Sequence, residues 1–250
     1  MKILIANDDG IFAPGIAALV RTFSAAGHEI IVCAPDGQRS AASHAMTLFQ
    51  PIDVKEVAFE GAAKAYAIGG TPVDCVKLGV NKLHPEVEFV LSGINKGWNC
   101  GSDIIYSGTV GAAREGAIFG YPAMAVSLAP HREDLYDKAA QLALRMFDVL
   151  RDHPLPPHAL LNVNHPAADE PLGVAAVPMK HTHYNEHFDR HEREDGSVYY
   201  TLSGSIDMSM EKGRDDWSML ENGYATATVL GFDMTDRSAT DAFGARLEAK

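Results

Sequence analysis

Short apolar runs ending in turn-forming residues alternate with segments whose apolar residues recur at helical spacing. Ile3 to Ala6 stops at Asn7-Asp8-Asp9-Gly10, as a buried parallel strand does. Pro14 then opens a helix to about residue 25, with Ile16, Leu19, Val20 and Phe23 on one face and Gly27 closing it. Glu29 to Ala34 reads as the second strand, followed by a polar loop from Asp36 to His44. Residues 52–59 and 64–68 form an extended excursion before Gly69-Gly70. Thr71 caps a helix with Pro72 in its first turn and Val73, Val76 and Val80 on one face. Residues 88–91 give another strand, running into Ser92-Gly93-Ile94-Asn95. A glycine-rich loop, 96–108, precedes a small-residue helix from about 109 to 119. A strand at 123–128, a helix from about 134 to 151 and a strand at 159–163 complete the series. This order predicts an α/β, doubly wound, mostly parallel sheet of Rossmann-like type, with ligands at the carboxyl ends of its strands.

The character changes after about residue 175. Residues 181–222 are rich in His, Asp, Glu, Ser and Met, with an Asp195-Gly196 turn joining two extended segments. Such an arm buries little of itself, so pairing with another subunit is expected, a flap being the alternative. Residues 224–230 return to strand and Ser238 begins a final helix. The division is a catalytic domain at 1–178 and an oligomerisation arm, strand and helix at 179–250.

Composition narrows the chemistry. Across 250 residues, 21 Lys and Arg against 33 Asp and Glu give a formal charge of -12, which repels nucleic-acid polymers. An anionic small molecule remains admissible where a bound cation reverses the field. Cys33, Cys75 and Cys100 are odd in number and lack CxxC spacing, so neither a disulfide framework nor a zinc ribbon is indicated. No apolar run reaches the roughly 20 residues of a membrane span, and the expected location is cytoplasmic.

Asp8-Asp9 is the strongest chemical signal. Adjacent carboxylates at the ligand edge of a parallel sheet repel unless a cation lies between them or one is protonated. An all-oxygen site suits Mg²⁺, Mn²⁺ or Ca²⁺ better than zinc. The plain alternative is a solvated Asp-Asp-Gly turn. Arg39-Ser40-Ala41-Ala42-Ser43 offers hydroxyls and N–H groups to a phosphate or a metal shell, or simply a turn. Asn95 supplies a neutral oxygen at the same edge. Tyr106-Ser107-Gly108-Thr109 opens a helix whose N-terminus favours an anion, alongside ordinary capping. His181, His183, His187 and His191 fall on the arm, away from the strand ends, and read as a solvated or interface group rather than a metal cluster. Met208, Met210 and Met219 read as interface packing.

These loops together resemble the SurE (survival protein E) family of metal-dependent 5′-nucleotidases. The match is carried by Asn7-Asp8-Asp9-Gly10, Arg39-Ser40, Gly70-Thr71-Pro72-Val73-Asp74, Ser92-Gly93-Ile94-Asn95 and Tyr106-Ser107-Gly108-Thr109, with a weaker echo at Asp216-Trp217. The resemblance implies one divalent ion per subunit, Mg²⁺ or Mn²⁺, on Asp8, Asp9, Ser40 and Asn95. It implies hydrolysis of nucleoside 5′-monophosphates, sometimes of 3′-monophosphates and short polyphosphate, in a homodimer or homotetramer assembled through residues 181–222. Asp8 and Asp9 are then the catalytic acids, and Asn99, Ser107, Gly108 and Thr109 the phosphate contacts. Two departures stand out. Ala41 occupies the place of a usual glycine, and Trp98 lies where a proline is common, either lining a base-stacking wall or covering the loop. A non-catalytic nucleotide-binding module, or a partner-binding protein centred on the arm, are the readings of other classes.

Overall fold

The computed structural model describes residues 1–207 and 213–248. The first half of the sheet is laid down by β1 (Lys2–Ala6), β2 (Glu29–Pro35), β3 (Val54–Glu56) and β4 (Lys64–Ile68), with α1 (Pro14–Ala25) crossing between β1 and β2. Pro14 sits at the start of α1, where the missing N–H costs nothing. Helix α2 (Pro72–Leu78) starts in a reciprocal cap: the Thr71 hydroxyl accepts from the Asp74 N–H, and the Asp74 carboxylate accepts from the Thr71 N–H. The chain then forms β5 (Phe89–Lys96), a short α3 (Asp103–Tyr106), α4 (Gly108–Ile118), β6 (Ala123–Leu128), α5 (Tyr136–Asp152) and β7 (Leu160–His165). Beyond it come β8 (Val174–Ala176), β9 (Tyr184–Glu192), β10 (Val198–Ile206), α6 (Asp216–Glu221), β11 (Ala225–Leu230) and α7 (Arg237–Glu248).

Among the described residues, nine strands form the main sheet in the order β3-β4-β2-β1-β5-β6-β7-β11-β8. The core strands are parallel; β3 joins β4, and β11 joins β7, antiparallel. The doubly wound architecture expected from the sequence is therefore present. Successive strands leave β1 in both directions, so the β1–β5 boundary is the switch point where ligands bind in such sheets. One face packs Phe23, Phe89 and Phe147 edge-to-face beneath α1 and α5, with centroids 4.9 and 5.5 Å apart. The other packs Leu4, Cys33, Cys75 and Val110 beneath α2 and α4. Cys33, Cys75 and Cys100 are unpaired and buried.

Several boundaries move from their sequence expectations. The strand expected at 88–91 runs on to Lys96, because β5 resumes pairing with β6 after a register shift, Asn95 opposite Ser127 and Lys96 opposite Leu128. Gly93 makes that shift possible: its φ is 136°, and a Cβ there would sit 2.3 Å from the Val126 carbonyl oxygen. The loop expected over 96–108 contains α3, and the helix expected from 109 begins at Gly108. The strand expected over 159–163 continues to His165.

The two extended segments around Asp195-Gly196 are β9 and β10, which pair with each other and stand apart from the main sheet. Phe188 lies opposite Leu202, with Tyr200 on the same face, and all three are exposed. Met219 is half-buried in α6, whereas Met208 and Met210 lie outside the described residues. Strand β11 returns to the main sheet beside β7.

Candidate active site

Four loops converge where β1 and β5 end. The turn after β1 is built by Asn7, whose buried side chain donates to the Gly10 carbonyl at 2.9 Å and accepts from the Gly10 N–H at 3.2 Å. That clamp places Asp8 and Asp9 at the sheet edge. The loop after β2 is tied to the same turn by the Arg39 N–H donating to the Asp8 carbonyl, 2.7 Å. The end of β5 supplies Asn95, and its Lys96 N–H donates to the Asp9 carboxylate at 3.3 Å. The turn opening α4 presses against Asp8 from the other side: the fully buried Thr109 hydroxyl donates to the Asp8 carboxylate. At Gly108 a Cβ would lie 2.9 Å from the Asp8 Cβ, so the helix can approach this closely only through glycine.

A cavity of about 280 Å³ opens among these loops, lined by Asp8, Asp9, Ser40, Asn95, Asn99 and Ser107 together with Lys96, Trp98, Asp103 and Tyr106. The structure thus brings together the four sequence-predicted metal ligands and two of the four predicted phosphate contacts. Gly108 instead backs Asp8, and the Thr109 hydroxyl is engaged there rather than facing the cavity. Lys96 and Gln38 also line it, and sequence reasoning had not singled them out. Position next to Asn95 was the available signal for Lys96, yet a lysine at a strand end ordinarily reads as solvated surface.

The open atoms around the cavity are oxygens. The Asn95 amide nitrogen donates to the Gly97 carbonyl at 2.9 Å, which leaves its side-chain oxygen as the open acceptor. The exposed Ser40 hydroxyl accepts from Gln38 at 2.9 Å. Ser107 caps α4 by accepting from the Val110 N–H, and its own proton stays available to an anion. The Asn99 side-chain amide donates to the Ser127 hydroxyl at 2.8 Å, while the Asn162 and Asn164 side chains donate to the Asn99 backbone carbonyl. Trp98 both lines the cavity and covers the loop, its indole N–H donating to the His165 carbonyl at 2.8 Å and its ring meeting Trp217 edge-on.

Burial dominates the electrostatics. Asp8 is 5% exposed, and desolvation pushes its carboxyl up to about 6 against the pull of Thr109, with the neighbouring Asp9 charge adding to the rise. Burial raises Asp9 as well, opposed by the Lys96 N–H and ammonium. The Lys96 ammonium is paired outward with Glu133. Two carboxylates raised by burial at one cavity form a site short of positive charge, and a divalent cation fits that donor set. Among the described residues no three His, Cys, Asp or Glu side chains gather as a metal-ligand set, and the donors at this edge are two adjacent carboxylates and neutral oxygens. His181 and His183 stand beyond Asp103 with rings 4.4 Å apart.

The family model described as Survival protein SurE matches residues 3–186. The chain belongs to the SurE family. A protein named 5′-nucleotidase SurE from Thermosynechococcus vestitus is 42% identical over 94% of this chain and 92% of its own. Another of that name, from Petrotoga mobilis, is 36% identical over 99% of this chain and 100% of its own. The crystal structure of the SurE protein from Aquifex aeolicus superposes with a TM-score of 0.84 at 30% identity, covering 97% of this chain and 98% of that one. The SurE match extends over all four cavity loops and reaches the first strand of the arm.

Proposed function

We propose that the chain is a 5′-nucleotidase that hydrolyses nucleoside 5′-monophosphates with one divalent ion, Mg²⁺ or Mn²⁺, held by Asp8, Asp9, Ser40 and Asn95. The observation that carries this reading is the adjacent acid pair, Asp8 buried and Asp9 half-buried, lining one cavity with neutral oxygens at the sheet's switch point. The relatives' names supply the substrate class. A phosphomonoester carries about -1.5 to -2 of charge near neutral pH, so it is repelled from Asp8 and Asp9 unless a cation intervenes. A divalent ion bound there supplies Lewis acidity toward the phosphoryl group and makes water a better nucleophile.

The chain's own residues do the rest. Thr109 fixes the orientation of Asp8, and the Lys96 N–H does the same for Asp9. The Ser107 hydroxyl, where α4 begins, orients a phosphoryl oxygen at the positive end of the helix dipole, and Gly108 and Thr109 hold that turn against Asp8. Asn99 adds its amide edge. Attack by water is favoured over a phospho-aspartate, because one Asp8 oxygen is already engaged by Thr109. Nucleoside 3′-monophosphates and short polyphosphate, which present the same terminal phosphoryl group, are further substrates of this reading.

The same proposal assigns residues 1–178 to catalysis and 179–250 to assembly. A lone two-stranded ribbon is marginal in water. The exposed Phe188, Tyr200 and Leu202 on one face of this one favour docking on another subunit, as a homodimer or homotetramer. Three unpaired buried thiols suit the reducing cytoplasm. No helix among the described residues is long and apolar enough to cross a membrane.

Phosphate release from AMP by purified protein tests the chemistry. It is expected with Mg²⁺ or Mn²⁺, stops with EDTA and returns when the metal is restored. Full turnover in excess EDTA would sink the metal assignment, and no release from any nucleotide with either metal would sink the activity.

A further inference from the structure

A second cavity adjoins the first, and the two share Asp103 and Tyr106. It measures about 660 Å³ and lies between α3 and the root of the arm, which contributes His181, His183 and Tyr184. Its far wall is fixed in place. The Ser102 N–H donates to the Thr182 hydroxyl at 2.9 Å, and the Ser102 hydroxyl donates to the Thr182 carbonyl at 3.0 Å. The Tyr184 hydroxyl donates to the Asp103 carboxylate at 2.6 Å, and Thr182 itself is buried.

Tyr106 stands at the junction of the two cavities. Tyr106 is 62% exposed while lining both cavities. The next residue along the chain is Ser107, which borders the cavity read here as the phosphate site. Neighbouring Cα atoms are about 3.8 Å apart. A phosphoryl group beside Ser107 therefore lies next in the chain to a residue that lines both cavities. In the lining of the second cavity, the His181 and His183 rings lie 4.4 Å apart. An exposed phenol ring and two imidazoles lining one cavity offer planar π-surfaces to another planar ring, and side chains of these types stack on unpaired bases of any sequence.

We propose that Tyr106, His181 and His183 form the subsite that docks the nucleobase of the substrate, resting on the reading of the first cavity as the phosphate site. The histidines of the arm thereby take a role in choosing the substrate. Stacking supplies base-tolerant affinity, and the carboxylate of Asp103 at the shared wall faces the sugar between base and phosphate.

The test compares the 5′-phosphonate analogues of AMP and of ribose 5-phosphate, whose carbon bridge resists hydrolysis. Their binding is measured by calorimetry in the presence of Mn²⁺. The parent protein is expected to prefer the base-bearing analogue at least tenfold. Tyr106→Ala should cut that preference by about tenfold, the loss typical of one base–aromatic stack, and Tyr106→Phe should restore it. His181→Ala combined with His183→Ala should reduce it severalfold. Equal binding of the two analogues by the parent protein, or an undiminished preference in Tyr106→Ala, overturns the subsite. A parent protein that prefers the nucleotide analogue yet releases no phosphate from AMP keeps the subsite and removes the hydrolase reading instead.

Discussion

Asp8 and Asp216 are both buried carboxylates, 5% and 0% exposed, and burial pushes the pKa of both upward. Their surroundings differ. Asp216 accepts from three backbone N–H groups, those of Gly101, Lys180 and Trp217, each at 2.8 Å. It ties the cavity loop, the arm root and α6 into one piece. Asp8 is gripped by Thr109 alone among side chains, has a second carboxylate beside it, and opens on a cavity. Equal burial thus serves opposite ends. Where the acceptor sites are filled, a buried acid is a fastener; where they face a cavity beside a like charge, it has acceptor oxygens left open for the proposed cation.

Substitution at each acid separates the two roles. Asp8→Asn should lower kcat by about 10²–10³ or more, the scale for losing one charge-stabilising group, as measured by phosphate release from AMP. Its melting temperature in metal-free buffer should equal or exceed the parent's, since a neutral amide removes a buried charge. A melting temperature many degrees lower would make Asp8 a fastener too. Asp216→Ala should do the reverse. It strands one buried and two half-buried N–H groups, at about 1–3 kcal/mol for each fully buried unsatisfied group, so a loss of about 3 kcal/mol is expected in urea unfolding. Turnover per folded molecule should stay within severalfold of the parent.

The pH dependence sharpens the contrast. The Asp8 carboxyl is raised from 3.8 to about 6, so between those values the native state holds a proton that the unfolded chain has released. Its contribution to stability is therefore full below pH 3.8 and is lost as pH rises toward 6. Metal-free protein should gain roughly 1 kcal/mol from this group between pH 7.5 and pH 5, and Mn²⁺ should stabilise more at pH 7.5 than at pH 5. Thermal melts at both pH values, with and without Mn²⁺, measure this directly; a Mn²⁺ effect larger at pH 5 would contradict it. The smallest effect concerns Ala41, which stands beside Ser40 at φ 56°, a conformation glycine takes freely. Ala41→Gly should relieve strain worth about 1 kcal/mol, offset partly by the entropy of the unfolded chain. Urea unfolding reads the net gain, and a clear destabilisation would mean the alanine methyl packs usefully.

Much of this was legible in the chain. The apolar run Ile3 to Ala6 and the turn after it place Asp8 and Asp9 at a strand end, because a buried parallel strand and an Asn-Asp-Asp-Gly turn are local properties. Thr71 and Asp74 announce the cap of α2 in the same way. Lys96 was not legible as part of the site, since its N–H reaches Asp9 across 87 positions of sequence. Nor was the division of labour at 107–109. Ser107 and Thr109 look alike as hydroxyls at a helix start, yet one borders the cavity and the other is sealed behind Asp8.

The sequence by itself determined the alternation of strands and helices, the acidic pair and the four loops, because each depends on neighbours within a few residues. Tertiary structure alone decided which of those polar atoms remain open. It set the order of strands that makes β1 and β5 neighbours, the approach of α4 through Gly108, and the seam that joins the arm root to the cavity. Burial and hydrogen-bond saturation are sums over residues distant in the chain, so a carboxylate's role as fastener or ligand appears only once the fold has brought its partners together.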